Sequence, residues 1–198
     1  MIEVLIPTVG RSERLGQVAA NIHDATVADH RVVFIVEAHD DRSIAAAEAT
    51  GDTVVVNAHE PNYAGAILTG YQNTTGEHLV CASDDLRFHV GWDVPALDTM
   101  AALGHLRVVG TNDLINPYVC AGTHSTHSLV SRRYLDHVGG VVDDGPGSFL
   151  PRCYTHNFTD TEFVGTAKMR AVFAPCLDAV VEPLHHGVGK STYDETYA

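Results

Sequence analysis

The stretch "LVCASDDLRFHVGWD" places two carboxylates, Asp84 and Asp85, side by side at the end of an apolar run. Adjacent like charges repel, so an opposite charge must accompany them. A hard cation such as Mg²⁺ or Mn²⁺ would serve, since it takes oxygen ligands and often bridges a protein carboxylate to a substrate phosphate. The structural account of the same pair is a polar turn in which Asp84 caps backbone N–H groups. A second acidic group comes late, as Asp160 and Glu162 in "NFTDTEF". Thr159 and Glu162 have the T-x-x-E spacing of a capping box, which explains Glu162 structurally. Asp160 would fall in a first helical turn, where the dipole favours negative charge.

The elements that must position these groups alternate along the chain. Residues 3–8, 31–38, 52–57, 78–82 and 106–111 are β-branched or continuous apolar runs bounded by turn residues, and predict five strands. Between them Leu15, Val18, Ala19 and Ile22, with Ser12 as N-cap, repeat at helical spacing. So do Ala64, Ile67, Leu68 and Tyr71, capped by Asn62; residues 43–50 and 93–103 also read as helices. The order predicts an α/β fold, a mostly parallel central sheet with helices on both faces. After residue 111 the rhythm weakens. Residues 128–130 predict a strand, and a short helix follows that ends at Gly139-Gly140. Residues 141–157 predict a loop and 159–169 a helix, with late strands in "AVFA" and "DAVVEPL". One domain over residues 1–198 is expected, with the second half elaborating the same sheet.

Ligands of open α/β sheets bind at the carboxyl ends of the strands. Thr8, Arg11, Glu37, Asp40, Asp41, Asn57, Asp84 and Asp85 all follow strand ends, so parallel strands would gather them along one edge. No G-x-G-x-x-G follows the first strand and no G-x-x-x-x-G-K-[ST] occurs, which excludes the usual phosphate cradles.

With 12 basic and 25 acidic residues the net charge is −13, and only Arg132-Arg133 are adjacent, so general nucleic-acid binding is excluded. No apolar run reaches the roughly 18–20 residues of a membrane span. The first residues lack a basic leader, which predicts a cytoplasmic protein, and the four widely spaced cysteines predict free thiols rather than a zinc site.

The chain resembles nucleotide-sugar-dependent glycosyltransferases of the family-2 type with the GT-A fold, in particular small bacterial or phage-encoded members. "VLIPTVGR…L", "VVFIVEAHDD", "NYAGAILTGYQNTTGEHLVCASDD" and "RFHVGWD" are similar to their nucleotide-sugar half, here about residues 1–112. "HVGGVVDD" and "TDTEF" resemble their acceptor half, about 113–198. The family's metal signature is D-x-D; here Ser83 replaces the first acid. The resemblance then implies Asp85 as metal ligand and Asp84 as a contact to ribose or to the metal's water shell. Asp160 is implied as the base that deprotonates the acceptor, in preference to Glu162. A C-terminal histidine, His186 rather than His185, is implied to complete the metal site, since adjacent side chains diverge in an extended segment. Thr8, Arg11, Glu37 and Asn62 are expected to bind the donor, Lys190 to neutralise diphosphate, and Trp92 to floor the sugar or acceptor pocket.

The implied activity is inverting, metal-assisted transfer of a hexose from a UDP- or GDP-type sugar to a protein or glycan hydroxyl, with Mn²⁺ or Mg²⁺ as cofactor. Its implied location is the cytoplasm, the host's if the chain is phage-encoded. Two other readings are open: a metal-dependent nucleotidyltransferase, and a catalytically inactive nucleotide-sugar-binding protein.

Overall fold

The β-branched runs form strands. In the computed structural model, which describes residues 1–104, 107–154 and 158–184, β1 (Ile2–Thr8), β2 (His30–Val36), β3 (Thr53–Val56) and β4 (His78–Cys81) lie parallel. Along β1, Val4 and Ile6 pack on one face with Leu15, Val18 and Ile22 of α1 (Leu15–Ala25). Leu5 packs on the other face with Ile67 of α3 (Tyr63–Gln72). This two-residue alternation, apolar on both sides, is why the strand reads as a continuous apolar run. Helix α2 (Asp41–Glu48) joins β2 to β3.

The second half completes one eight-stranded sheet in the order β3-β2-β1-β4-β7-β6-β8-β5. Its elements are β5 (Leu86–Phe88), α4 (Asp93–Leu103), β6 (Val108–Asn112), α5 (Pro117–Cys120) and β7 (Ser128–Ser131). Then come α6 (Arg132–His137), α7 (Thr159–Met169) and β8 (Phe173–Pro183). Six strands share one direction; β5 and β7 run against it. The reversal of β7 matters for the site. Its pairing of Val80 with Leu129 brings the residues just before it to the edge where β1–β4 end.

Several sequence expectations are corrected. The two late strands are one, β8, which pairs parallel with β6 and then, past a register shift, antiparallel with β5. The short β5 and α5 carry too few residues for a periodic signal. Ser12 does not cap α1: a 3₁₀ turn, Ser12–Arg14, precedes that helix, and neither element has a side-chain cap. The capping box at α7 does not form either. Thr159 is already the first helical residue, and the cap position is held by Phe158 with a left-handed φ of 71° and no side-chain cap bond. The loop after α6 folds back closely at Gly139, φ 84°, where a Cβ would lie 1.7 Å from the Gly145 carbonyl oxygen.

Candidate active site

Asp84 follows β4 and is 6% exposed. Its two oxygens are separately engaged. Thr8 Oγ1, at the end of β1, donates to Oδ2 at 2.9 Å, and Arg11 Nη1 donates to Oδ1 at 3.0 Å. Arg11 is itself 9% exposed and its Nη1 stands 4.0 Å from Asp85 Oδ2. One guanidinium thus lies against both carboxylates. Ser83 Oγ donates to Asp85 Oδ1 at 2.6 Å, within the range of a charge-assisted O–H···O⁻ bond. Burial raises the Asp84 pKa; the charge and hydrogen bond of Arg11 and the hydroxyl of Thr8 offset this only in part, and neighbouring Asp85 adds to the rise. A cavity of about 490 Å³ opens beside the pair, lined also by Arg14, Gln17 and Asn21 of the first helical segments and by Arg87 of β5. That volume is within the usual range of small-molecule sites.

Across the sheet, Asp160 sits in the first turn of α7. His124 Nε2 lies 3.1 Å from its Oδ2, and the Thr161 backbone N–H donates to Oδ1 at 2.8 Å. Burial pushes this carboxyl up, but the hydrogen bond and charge of His124, the Thr161 N–H and the field of His127 outweigh it, so the pKa is lowered. His127, 7% exposed, places Nδ1 3.1 Å from the Cys81 carbonyl oxygen at the end of β4. A carbonyl only accepts, so Nδ1 carries the proton there. Burial lowers the His127 pKa, against the Cys81 contact and the fields of Asp85, Asp113 and Asp160. Tyr63, the first residue of α3, likewise feels both Asp160 and Asp85, while its hydroxyl donates to the Ala82 carbonyl at 3.2 Å. His127 and Tyr63 therefore both stand within electrostatic reach of Asp85 and Asp160. Tyr63, Cys81, Ser125 and Asp160 also line a cavity of about 20 Å³, room for one water molecule.

The remaining expected residues divide. Glu37 follows β2 directly and is half-buried, and its Oε1 accepts from Asn57 Nδ2 at 2.8 Å, so both stand at the same edge. Asn62 caps α3 as expected, with Oδ1 accepting the Gly65 N–H at 2.8 Å; neither Glu37 nor Asn62 lines the larger cavity. Asp40 is structural: it caps α2 through the Ser43 N–H and holds the Gly10 N–H at 2.7 Å. Trp92 is corrected. It is 1% exposed, meets Phe88 edge-on at 5.1 Å, and donates Nε1–H to Thr26 Oγ1 at 3.0 Å, so it belongs to the core and lines neither of the two cavities. Glu162 lies half-buried in α7 and accepts a hydrogen bond from Tyr154. His185, His186 and Lys190 lie outside the described residues. His124 and His127 were missed. Their signal was the H-x-x-H of "HSTH", which acquires meaning only once β7 is known to run antiparallel.

The sequence profile described as glycosyl transferase family 2 matches residues 3–149. The chain belongs to that family. The matched span holds the β1–β4 strand ends, Asp84, Asp85, His124 and His127; Asp160 lies beyond it. Among curated proteins no sequence match is found. Solved structures with the same GT-A fold are numerous. Glucosyl-3-phosphoglycerate synthase from Mycobacterium tuberculosis, in a complex with Mn²⁺, UDP-glucose and phosphoglyceric acid, superposes with a TM-score of 0.68 at 13% identity, over 100% of this chain and 74% of that one. The same enzyme with Mn²⁺, UDP-glucose and glycerol 3-phosphate gives 0.66 at 14%, over 96% and 75%. A further mycobacterial protein gives 0.68 at 12%, over 100% and 69%.

The donor set can be tested against the divalent ion that the fold implies. Among the described residues no three His, Cys, Asp or Glu side chains are grouped to hold a metal. A Mg²⁺-like ion does not need such a cage: one or two carboxylates suffice when substrate phosphates and waters supply the rest. Asp85, with Oδ1 held by Ser83 and Oδ2 4.0 Å from Arg11, offers carboxylate oxygens that fit that mode.

Proposed function

We propose that this family-2 protein is an inverting glycosyltransferase. In this reading it moves a hexose from a UDP- or GDP-type sugar to a hydroxyl of a protein or glycan. The observation that supports it is that the loop before β7 joins the two acidic groups: His124 Nε2 lies 3.1 Å from Asp160 Oδ2, and His127 Nδ1 lies 3.1 Å from the carbonyl of Cys81, which ends the strand leading into Asp84 and Asp85. Residues 1–112 supply the donor side and 113–198 the acceptor side. Asp85 would hold the divalent ion, Mn²⁺ or Mg²⁺, whose charge stabilises the departing diphosphate. Thr8 and Arg11 fix Asp84, which sets the floor under that position, and Glu37 with Asn57 offers polar groups to the nucleoside. Asp160 takes the acceptor's hydroxyl proton as the oxygen bonds to the anomeric carbon. The bond from that carbon to the diphosphate breaks on the opposite face, and its electron pair leaves with the diphosphate. The relatives whose crystals hold Mn²⁺ with UDP-glucose support this choice of donor and cofactor.

The nucleotidyltransferase alternative needs free N–H groups in the loop after β1, yet the Gly10 N–H is bound to Asp40. Among the described residues no helix is long and apolar enough to cross a membrane, and the reading places the enzyme in the cytoplasm. Two measurements test it. Thermal shift with UDP and GDP, with and without Mn²⁺, should show stabilisation by one of them that grows with the metal. The matching nucleotide sugars should then release nucleoside diphosphate in the presence of an acceptor panel; release from none of them overturns the proposal.

A further inference from the structure

We propose that His124 is a positioning residue for Asp160: its imidazole fixes Oδ2 so that the carboxylate meets the acceptor hydroxyl in one orientation. This rests on the reading of Asp160 as the base. The contact is direct, Nε2 to Oδ2 at 3.1 Å, with 16% of the His124 side chain exposed. An ionised carboxylate only accepts, so Nε2 carries the proton. The other oxygen, Oδ1, is held by the Thr161 N–H. Thr161 Oγ1 adds a longer contact to Oδ1 at 3.4 Å, whereas Oδ2 has His124; the two sides together set the plane of the carboxylate, and Oδ2 keeps a lone pair for an incoming proton.

The histidine is held in its turn. Lys168 Nζ, two turns along α7, donates to the Thr123 carbonyl at 2.6 Å, and Thr123 Oγ1 donates to the Tyr118 carbonyl at 2.9 Å. Ser125 Oγ donates to the His127 carbonyl at 2.6 Å, and Thr126 Oγ1 to Asp113 Oδ2 at 3.2 Å. The loop before β7 is thus already fastened to α7 by Lys168. A second staple is redundant for the fold, whereas a donor aimed at the base has a use in the reaction. Among the described residues, the titratable groups that interact with Asp160 include His124 and His127 from this loop and Tyr63 from α3. Of these, His124 contributes most to keeping Asp160 ionised, against the burial that opposes it.

The test compares His124→Ala and His124→Gln in the full chain, using ¹³C-carboxyl NMR of Asp160 together with steady-state kinetics. For His124→Ala, kcat should fall roughly ten- to a hundredfold with the donor KM unchanged. Its Asp160 titration should move to higher pH, and the acid limb of kcat/KM with it. His124→Gln, whose amide can donate to Oδ2, should recover most of kcat. An unmoved Asp160 titration with unchanged kcat would overturn the proposal, a lower thermal midpoint alone marking a structural staple. Should the Ala variant fail to fold, His124→Leu, which fills the space but cannot donate to Oδ2, is read in the same way. The NMR titration does not depend on turnover. Asp160→Asn separates the two readings: retained transfer there refutes the base, whatever His124 does.

Discussion

Asp84 and Asp160 stand at the same edge of the sheet, and their surroundings drive them in opposite directions. The Asp84 side chain is 4% exposed, tied at both oxygens, and its pKa is raised. That of Asp160 is 31% exposed, held by a histidine and a backbone N–H, and its pKa is lowered. A carboxylate locked to a neighbouring strand and costly to ionise is suited to building a site. One kept ionised beside a small cavity is suited to exchanging a proton. On the proposed reading, the first half would therefore use its acids for architecture and ion binding, and the second half its acid for proton transfer.

The largest test of that contrast is Asp160→Asn. The amide preserves the shape and loses the basic oxygen, so kcat should fall by roughly 10²–10⁴ while thermal stabilisation by the nucleotide remains. Wild-type transfer should be lost in acid only as pH falls through the lowered pKa of Asp160, which holds the acid limb below the ordinary aspartate range. A pH–rate profile of kcat/KM checks this. Wild-type turnover in Asp160→Asn would erase the distinction between the two carboxylates.

The two halves also differed in how far their sequences could be read. In the first, each strand is a both-faces-apolar run and Asn62 caps α3 at the expected place, so the strand-end residues Thr8, Glu37, Asn57 and Asp84 could be assigned to one edge. The partner of Asp84 could not: Arg11 lies 73 positions earlier, and only the β1–β4 pairing brings them together. In the second half, β7 has four residues and its direction has no local signature, so His124 and His127 had no visible address. Trp92 illustrates the opposite error. The resemblance implied that it floors a pocket, but its indole N–H donates to Thr26 and its ring packs on Phe88, which buries it.

Arg11→Ala probes the architectural side and should act on stability first. It removes the cation from a buried pair and leaves Asp84 and Asp85 facing each other, at a cost of about 3–5 kcal/mol. The sign with pH follows from Asp84. A carboxyl whose pKa is raised on folding stabilises the fold below its unfolded value and loses that contribution as pH rises through the folded value. Without Arg11 the folded value rises further, so the deficit should be largest near neutrality and shrink in mild acid. Urea unfolding at the two conditions measures it; an equal deficit at both would mean that Asp84 is not what Arg11 compensates.

The smallest expected effect lies at Ser83, where the family carries the first acid of its D-x-D signature. Here the hydroxyl donates to Asp85 Oδ1, so it orients that carboxylate, the one proposed to hold the ion. Ser83→Ala should leave the fold intact and raise the Mn²⁺ concentration for half-maximal stabilisation by nucleoside diphosphate about tenfold, the usual scale for losing a group that orients a metal ligand. Ser83→Asp should act in reverse. A third carboxylate beside Arg11 adds repulsion in the absence of metal, lowering the thermal midpoint, and gives a larger recovery on adding Mn²⁺ with nucleotide. If both substitutions leave the metal response unchanged, Asp85 is not the ion's ligand, and the acidic pair would belong with Asp84 to the architecture alone.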